Sequence, residues 1–245
     1  MSQHSQVDGQ DELIIAQPLY TPIKRRSFFM YAGATAGATA LVLAGCSKDD
    51  TVNTPVASAI NVGTGDIGVL NYAYALEQLE AGFYTALRAG TYYTGLTATS
   101  AERQILDDLY YHEVIHREYF RSAIPAASRI SDALVPNFSA INFNDRASVL
   151  GTAKAFEDLG VAAYNGAGQY IVTPAYLFVA GKIVSVEARH AAIIRDLLQE
   201  GNFVGSDVVT IATTSLEISK APSVVVATAN TFLAAGSQLN VSGLG

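Results

Sequence analysis

Apolar residues recur at every third or fourth position along four segments of the chain, and this spacing predicts four long helices. The segments are 66–87, 99–120, 145–167 and 173–200. Gly90, Pro125 and Gly201 follow three of them, and glycine and proline commonly end a helix. Each segment is about 20 residues or longer, which is enough for a helix that runs the length of a bundle.

Local sequence signals indicate where the second and fourth helices begin. Thr99 and Glu102 have the spacing of a capping box. Thr173 followed by Pro174 matches an N-cap with proline at the first helical position. The first two helices are separated only by residues 91–98, so we expect them to be antiparallel neighbours.

The connection over residues 125–144 has no helical pattern and holds two prolines. Extended, it spans about 66 Å at roughly 3.3 Å per residue. A helix of 25 residues is about 38 Å long, so the connection can run from one end of a bundle to the other. The fold predicted is therefore an all-α four-helix bundle over residues 66–200, in which a long crossover joins two antiparallel helical hairpins.

The last segment, residues 201–245, is rich in Val, Thr, Ala and Ser and poor in charge. We expect an irregular C-terminal extension that packs on the bundle. Within it, residues 224–232 fit either a short helix or a β-branched strand, and periodicity does not choose between them.

The N-terminal residues resemble an export signal. Arg25 and Arg26 precede an uncharged run rich in Ala, Gly and Leu, as in a twin-arginine signal. The run ends at Leu43-Ala-Gly-Cys46, which is similar to a bacterial lipobox, in which the cysteine becomes lipidated. Residues 1–45 are thus predicted to be a signal and 46–65 a tether, giving a periplasmic or cell-envelope lipoprotein anchored to the membrane through Cys46. An uncleaved anchor is the alternative.

Charge and cysteine content argue against several classes of function. The formal net charge is −7 and the body of the chain has no basic run, which argues against nucleic-acid binding. The single cysteine excludes an intrachain disulfide and any cysteine-rich zinc or iron–sulfur site. No pattern indicates an oligomeric state.

Two Glu-x-x-His motifs lie on predicted helices, at Glu113–His116 and Glu187–His190. Residues three apart share a helix face, and here that face is apolar. A carboxylate in an apolar interior is costly unless it is paired or bound to a metal. Two such motifs, with one further Glu from each of two other helices, form the ligand set of a di-metal carboxylate bundle.

An internal repeat identifies the two further glutamates. Residues 77–84 and 157–164 both have the pattern Glu-x-Leu-x-x-x-x-Tyr, and each precedes a helix with Glu-x-x-His. The repeat selects Glu77 over Glu80 as the counterpart of Glu157. The predicted ligand set is Glu77, Glu113, His116, Glu157, Glu187 and His190.

Four carboxylates balance the charge of two divalent cations, and oxygen and imidazole donors suit two iron ions, with manganese as the alternative. Glu113 and Glu187 are the expected bridging ligands.

Four more residues have two interpretations each. Tyr84 and Tyr164 lie two turns from Glu77 and Glu157, where they either donate hydrogen bonds that orient ligands or fill the core. His112 is either structural or in contact with a ligand, and Glu80 is either an extra ligand or a carboxylate on the access path. Five other acids are expected to be solvated: Asp107, Asp108, Glu118, Asp158 and Glu200.

Together these patterns resemble the ferritin-like superfamily over residues 66–200. Residues 71–84 and 216–229 are similar to the ferritin-like family that includes plant desiccation-related proteins and exported bacterial relatives. The resemblance implies a di-iron or di-manganese centre and redox chemistry of ferrous iron, dioxygen or peroxide in stress protection. Metal binding without turnover and a purely structural envelope role remain the alternatives.

Overall fold

A computed structural model describes residues 59–210 and 213–244. The residues predicted to direct export and lipidation, Arg25, Arg26 and Cys46, lie outside the described residues, as does most of the predicted tether. Within the described ranges there are six α-helices and two short strands. The helices are α1 Gly65–Ala89, α2 Thr91–Thr94, α3 Ala101–Ala123, α4 Arg146–Ala167, α5 Pro174–Leu198 and α6 Pro222–Ala229. The strands are β1 Ile60–Asn61 and β2 Leu239–Asn240.

The four long helices, α1, α3, α4 and α5, pack as two antiparallel hairpins. Helix α1 has its most extensive contacts with α3, and α4 with α5. Arg88, near the end of α1, lies 3.0 Å from Asp107 near the start of α3. Arg146, at the start of α4, donates a hydrogen bond of 2.7 Å to the carbonyl of Leu197 at the end of α5. These contacts, with the crossover between α3 and α4, confirm the predicted all-α bundle.

The helix boundaries differ from the predicted ones by a few residues. Ser100 caps α3, because its side chain accepts a hydrogen bond from the Arg103 amide, so the prediction of Thr99 was one residue early. Residues 91–98, predicted as a loop, contain the single turn α2. Asp145 caps α4 by accepting from the Ser148 amide. These shifts do not change which helix faces are buried.

The C-terminal extension covers the outside of α4. Its helical option is the one observed, as α6 followed by a 3-10 turn over Asn230–Phe232. The Lys220 amide donates 3.0 Å to the carbonyl of Ala162. A Cβ at Gly166 would lie only 1.8 Å from the Lys220 carbonyl oxygen, so this close approach requires glycine. In the part of the chain that the structure describes, no helix is both long and apolar enough to cross a membrane.

A buried arginine links the extension to the bundle. Arg195 of α5 is 4% exposed and donates hydrogen bonds to Asp158 of α4 and Asp207 of the extension. The expectation that Asp158 is merely solvated was therefore wrong. Its charge is needed to neutralise a buried guanidinium group.

Candidate metal centre

The middle of the bundle interior is charged, although the rest of it is apolar. Helix α1 contributes Glu77, α3 contributes Glu113 and His116, α4 contributes Glu157, and α5 contributes Glu187 and His190. The four glutamates are 0% exposed, and the two histidines are 8% and 4% exposed. The structure thus brings all six predicted ligands together.

The six residues form two overlapping groups of four. One group is Glu77, Glu113, His116 and Glu187, and the other is Glu113, Glu157, Glu187 and His190. Within each group, one ligand atom per residue lies within 4.8 Å of all the others. Glu113 and Glu187 belong to both groups. They therefore lie where one carboxylate can serve both groups.

Most donor atoms in this cluster have no hydrogen-bond partner. Eight buried atoms of the cluster are of this kind among the described residues: Glu77 Oε2, both oxygens of Glu113, His116 Nδ1, Glu157 Oε2, both oxygens of Glu187 and His190 Nδ1. His116 Nδ1 lies 2.8 Å from Glu187 Oε1, but not in hydrogen-bonding geometry. Buried polar atoms are nearly always satisfied, and a cation would satisfy this set. The cluster can therefore hold metal.

Two tyrosines fix the outer oxygens of the terminal glutamates. The hydroxyl of Tyr84 on α1 donates to Oε1 of Glu157 on α4. The hydroxyl of Tyr164 on α4 donates to Oε1 of Glu77 on α1. In both glutamates, Oε2 is left facing the centre. Each tyrosine therefore orients a carboxylate of the opposite hairpin and leaves it one free oxygen.

His112 contacts one of the two ligand histidines. Its Nδ1 lies 2.8 Å from Nε2 of His190, and the two rings stack at a centroid distance of 5.1 Å. Burial and the charge of His190 lower the pKa of His112, which favours the neutral form that can accept a hydrogen bond. If His190 donates through Nε2, its Nδ1 is free to bind metal. The equivalent position on α5 is Val186, so His116 has no such partner.

In the absence of a metal, the histidines and carboxylates of the cluster shift one another's pKa values. Burial acts to lower the pKa of His116, but the carboxylates of Glu113, Glu187 and Glu77 outweigh it and raise the pKa to about 12. The pKa of His190 is raised for the same reason. Burial acts to raise the pKa of Glu187, but the two histidines lower it to about 2.

The remaining carboxyl groups have raised pKa values. Burial, together with the charge of Glu187, raises the pKa of Glu113 to about 7. Burial raises the pKa of Glu157 to about 8, although His190 opposes it. Burial also raises the pKa of Glu77. These are groups that bind protons in the absence of a metal and must release them when one binds.

Comparison with models of protein families matches residues 65–200 to a family described as "Ferritin-like domain". The matched range spans all four long helices and all six clustered residues. Comparison with curated proteins found no match.

Proposed function

Because the chain belongs to the ferritin-like domain family, we propose that it binds two iron or manganese ions and uses them in redox chemistry of ferrous iron, dioxygen or peroxide. The observation that carries the proposal is the set of eight buried, unpartnered donor atoms in two overlapping groups. Their oxygen and imidazole chemistry suits iron and manganese. Four carboxylates also balance the charge of two divalent cations.

When bound, the metal pair would supply the electrons and Lewis acidity that such chemistry requires. The protein contributes geometry. Tyr84 and Tyr164 hold Glu157 and Glu77 so that each presents one oxygen to the centre. Groups that orient ligands in this way typically change metal affinity by about 10–100-fold when removed.

Among the six clustered residues, those closest to solvent lie between α3 and α5. These two helices share few contacts, unlike the partners within each hairpin. The His116 side chain is 11% exposed, more than that of any other ligand, and His112 is exposed on the same helix. A small oxidant could therefore reach the ligands without opening the apolar core.

Elemental analysis of protein purified without an affinity tag tests metal binding. We expect two metal equivalents per chain in the wild type and fewer than one in the double variant Glu187→Ala, His190→Ala. Glu118→Ala is the matched control, because Glu118 pairs only with surface arginines on α3. Wild-type protein without metal, or full occupancy in the double variant, would contradict the proposal.

Turnover is tested separately from binding. Ferrous oxidation and peroxide consumption are followed by stopped-flow absorbance on the metal-loaded wild type. Consumption that disappears in the double variant would support an oxidoreductase. Two bound metals without turnover would reject the redox part and leave metal binding as the role of the bundle.

We also propose that the chain is exported as a lipoprotein. The support is the sequence alone, through Arg25, Arg26 and Cys46. Cys46→Ser should move the protein from the membrane fraction to the soluble envelope fraction. Arg25→Lys with Arg26→Lys should leave it in the cytoplasm. Unchanged fractionation in both variants would contradict export by this route.

A further inference from the structure

Glu80 is a buried acid that neither group of four includes. It lies on α1 one turn after Glu77 and is 5% exposed. It forms no hydrogen bond or ion pair with any residue in the ranges 59–210 and 213–244. Burying such a group without a partner is costly.

The position of Glu80 follows from the way α1 faces α4. Glu77 is bonded to Tyr164, and Tyr84 is bonded to Glu157, so the two helices run antiparallel. The residues midway between these two bonds are Glu80 on α1 and Gly160 on α4. Each lies three residues after a ligand glutamate. The two residues are therefore equivalent positions that meet at the centre of the pseudo-twofold arrangement.

Gly160 leaves the space that the Glu80 carboxyl group occupies. A Cβ at Gly160 would lie 3.1 Å from Oε1 of Glu80 and 3.8 Å from Oε2 of Glu187. Oε2 of Glu187 is one of the unpartnered donor atoms of the centre. The Glu80 carboxyl group thus lies close to the donor atoms of the centre, in space that a side chain at position 160 would narrow.

We propose that Glu80 is a fifth carboxylate ligand of the metal pair, admitted by Gly160. This inference rests on the proposed function, because it requires a bound metal pair. A metal ion supplies the counter-charge that the Glu80 carboxylate lacks. Since four carboxylates already neutralise two divalent ions, a fifth favours metals in the trivalent state.

The test uses the full chain and Co²⁺, whose visible absorption changes with the number and type of ligands. Affinity is measured by competition with a chelator in the wild type, Glu80→Gln and Gly160→Ala. Glutamine keeps the size of the side chain but loses the charge. Alanine at position 160 places a Cβ 3.1 Å from Oε1 of Glu80, so the carboxyl group has to shift slightly but keeps its charge. Gly151→Ala is the matched control. Gly151 lies on the same helix as Gly160, and a Cβ at Gly151 would have no atom within 4 Å.

We expect Glu80→Gln to weaken binding of at least one Co²⁺ by about tenfold or more and to change the visible spectrum, since a direct ligand should matter at least as much as a group that orients one. Gly160→Ala should weaken the same binding step by a smaller factor and also change the spectrum. Gly151→Ala should match the wild type. If Glu80→Gln binds two Co²⁺ with wild-type affinity and spectrum, Glu80 is not a ligand and the proposed function stands. If the wild type itself binds no metal pair, both proposals fail. If Glu80→Gln does not fold, Gly160→Ala decides by the same criteria.

Discussion

The hydroxyl group of Tyr84 donates a hydrogen bond to Glu157, a residue 73 positions away in the other helical hairpin. Tyr164 repeats the contact in the opposite direction, with Glu77. Both hydroxyl groups are buried beside carboxylates, and burial followed by the carboxylate charge raises the pKa of each tyrosine well above its ordinary value. They therefore stay protonated and act as donors. The two hairpins are therefore joined through residues of the candidate metal centre.

Tyr84→Phe should weaken metal binding by about 10–100-fold, because Glu157 loses the group that orients it. The metal-free variant should also lose about 1–3 kcal/mol of stability, since a buried acceptor is left unsatisfied. Tyr164→Phe should have the same two effects, because the hydrogen bond from Tyr164 to Glu77 is equivalent to the one from Tyr84 to Glu157. Chelator competition measures affinity, and urea denaturation measures stability.

Tyr93→Phe is the control for this pair of variants. Tyr93 is 3% exposed and donates to Asp107, away from the metal ligands. Its loss should reduce stability and leave metal affinity unchanged. A Tyr93→Phe variant that bound metal as weakly as Tyr84→Phe would show that general loosening of the bundle, and not ligand orientation, sets the affinity.

Metal-free protein should become less stable as pH rises from about 5 to about 8. Glu113 and Glu157 have pKa values raised from 4.5 to about 7 and about 8, so the folded state binds more protons than the unfolded state in this range. The stability they contribute is fully present below 4.5 and is lost as pH rises through the folded pKa values. His116 acts in the same direction above 6.5.

Thermal unfolding in the presence of a chelator, at several pH values, measures this dependence. Glu187 has the opposite sign, but its window lies between 4.5 and about 2, below the range used. Protein loaded with Mn²⁺ should depend less on pH, because metal replaces the protons. If the unfolding temperature of the metal-free protein stayed constant or rose from pH 5 to pH 8, the raised pKa values of Glu113, Glu157 and His116 would be contradicted.

The bundle could be predicted from the sequence because each helix buries one face, so apolar residues recur at every third or fourth position. The ligand glutamates were recognisable for a related reason. Glu77 and Glu157 occupy the same place in two copies of one pattern, and Glu113 and Glu187 each precede a histidine by three residues. Spacing within a helix determines which side chains share a face, and the bundle core collects those faces.

Contacts between helices could not be predicted in this way. The repeat placed Tyr84 near Glu77 along α1, but the bond it forms is with Glu157, which depends on the spacing and direction of α1 and α4. Asp158 pairs with Arg195, 37 residues away, and nothing local to Asp158 indicates it. The space beside Glu80 could have been predicted from the sequence. The counterpart of Glu80 in the second copy of the repeat is Gly160, which has no side chain.

Arg195→Met should destabilise the protein by about 3 kcal/mol. It removes the cation that Asp158 needs and releases Asp207 of the extension. The value is near the low end for a buried pair, because the Asp158 side chain keeps 16% exposure and the Asp207 side chain 56%. Lys154→Met is the control, since it removes only a surface contact with Asp207 and should cost less than about 1 kcal/mol. Denaturant unfolding measures both, and equal losses would show that Arg195 has no special role.

His112→Ala should separate the two metal positions. His112 contacts His190, and no histidine occupies the equivalent position beside His116. Its loss therefore removes a ring nitrogen that contacts only one of the two histidines. We expect the affinity for the metal ion that His190 binds to fall by about 10–100-fold, and the affinity for the other ion to change little. A calorimetric titration with Mn²⁺ should then be biphasic. Gln104→Ala controls for the loss of an exposed polar side chain on α3. If both binding steps weakened equally, or if Gln104→Ala gave the same curve, the asymmetry of the centre would have to arise elsewhere.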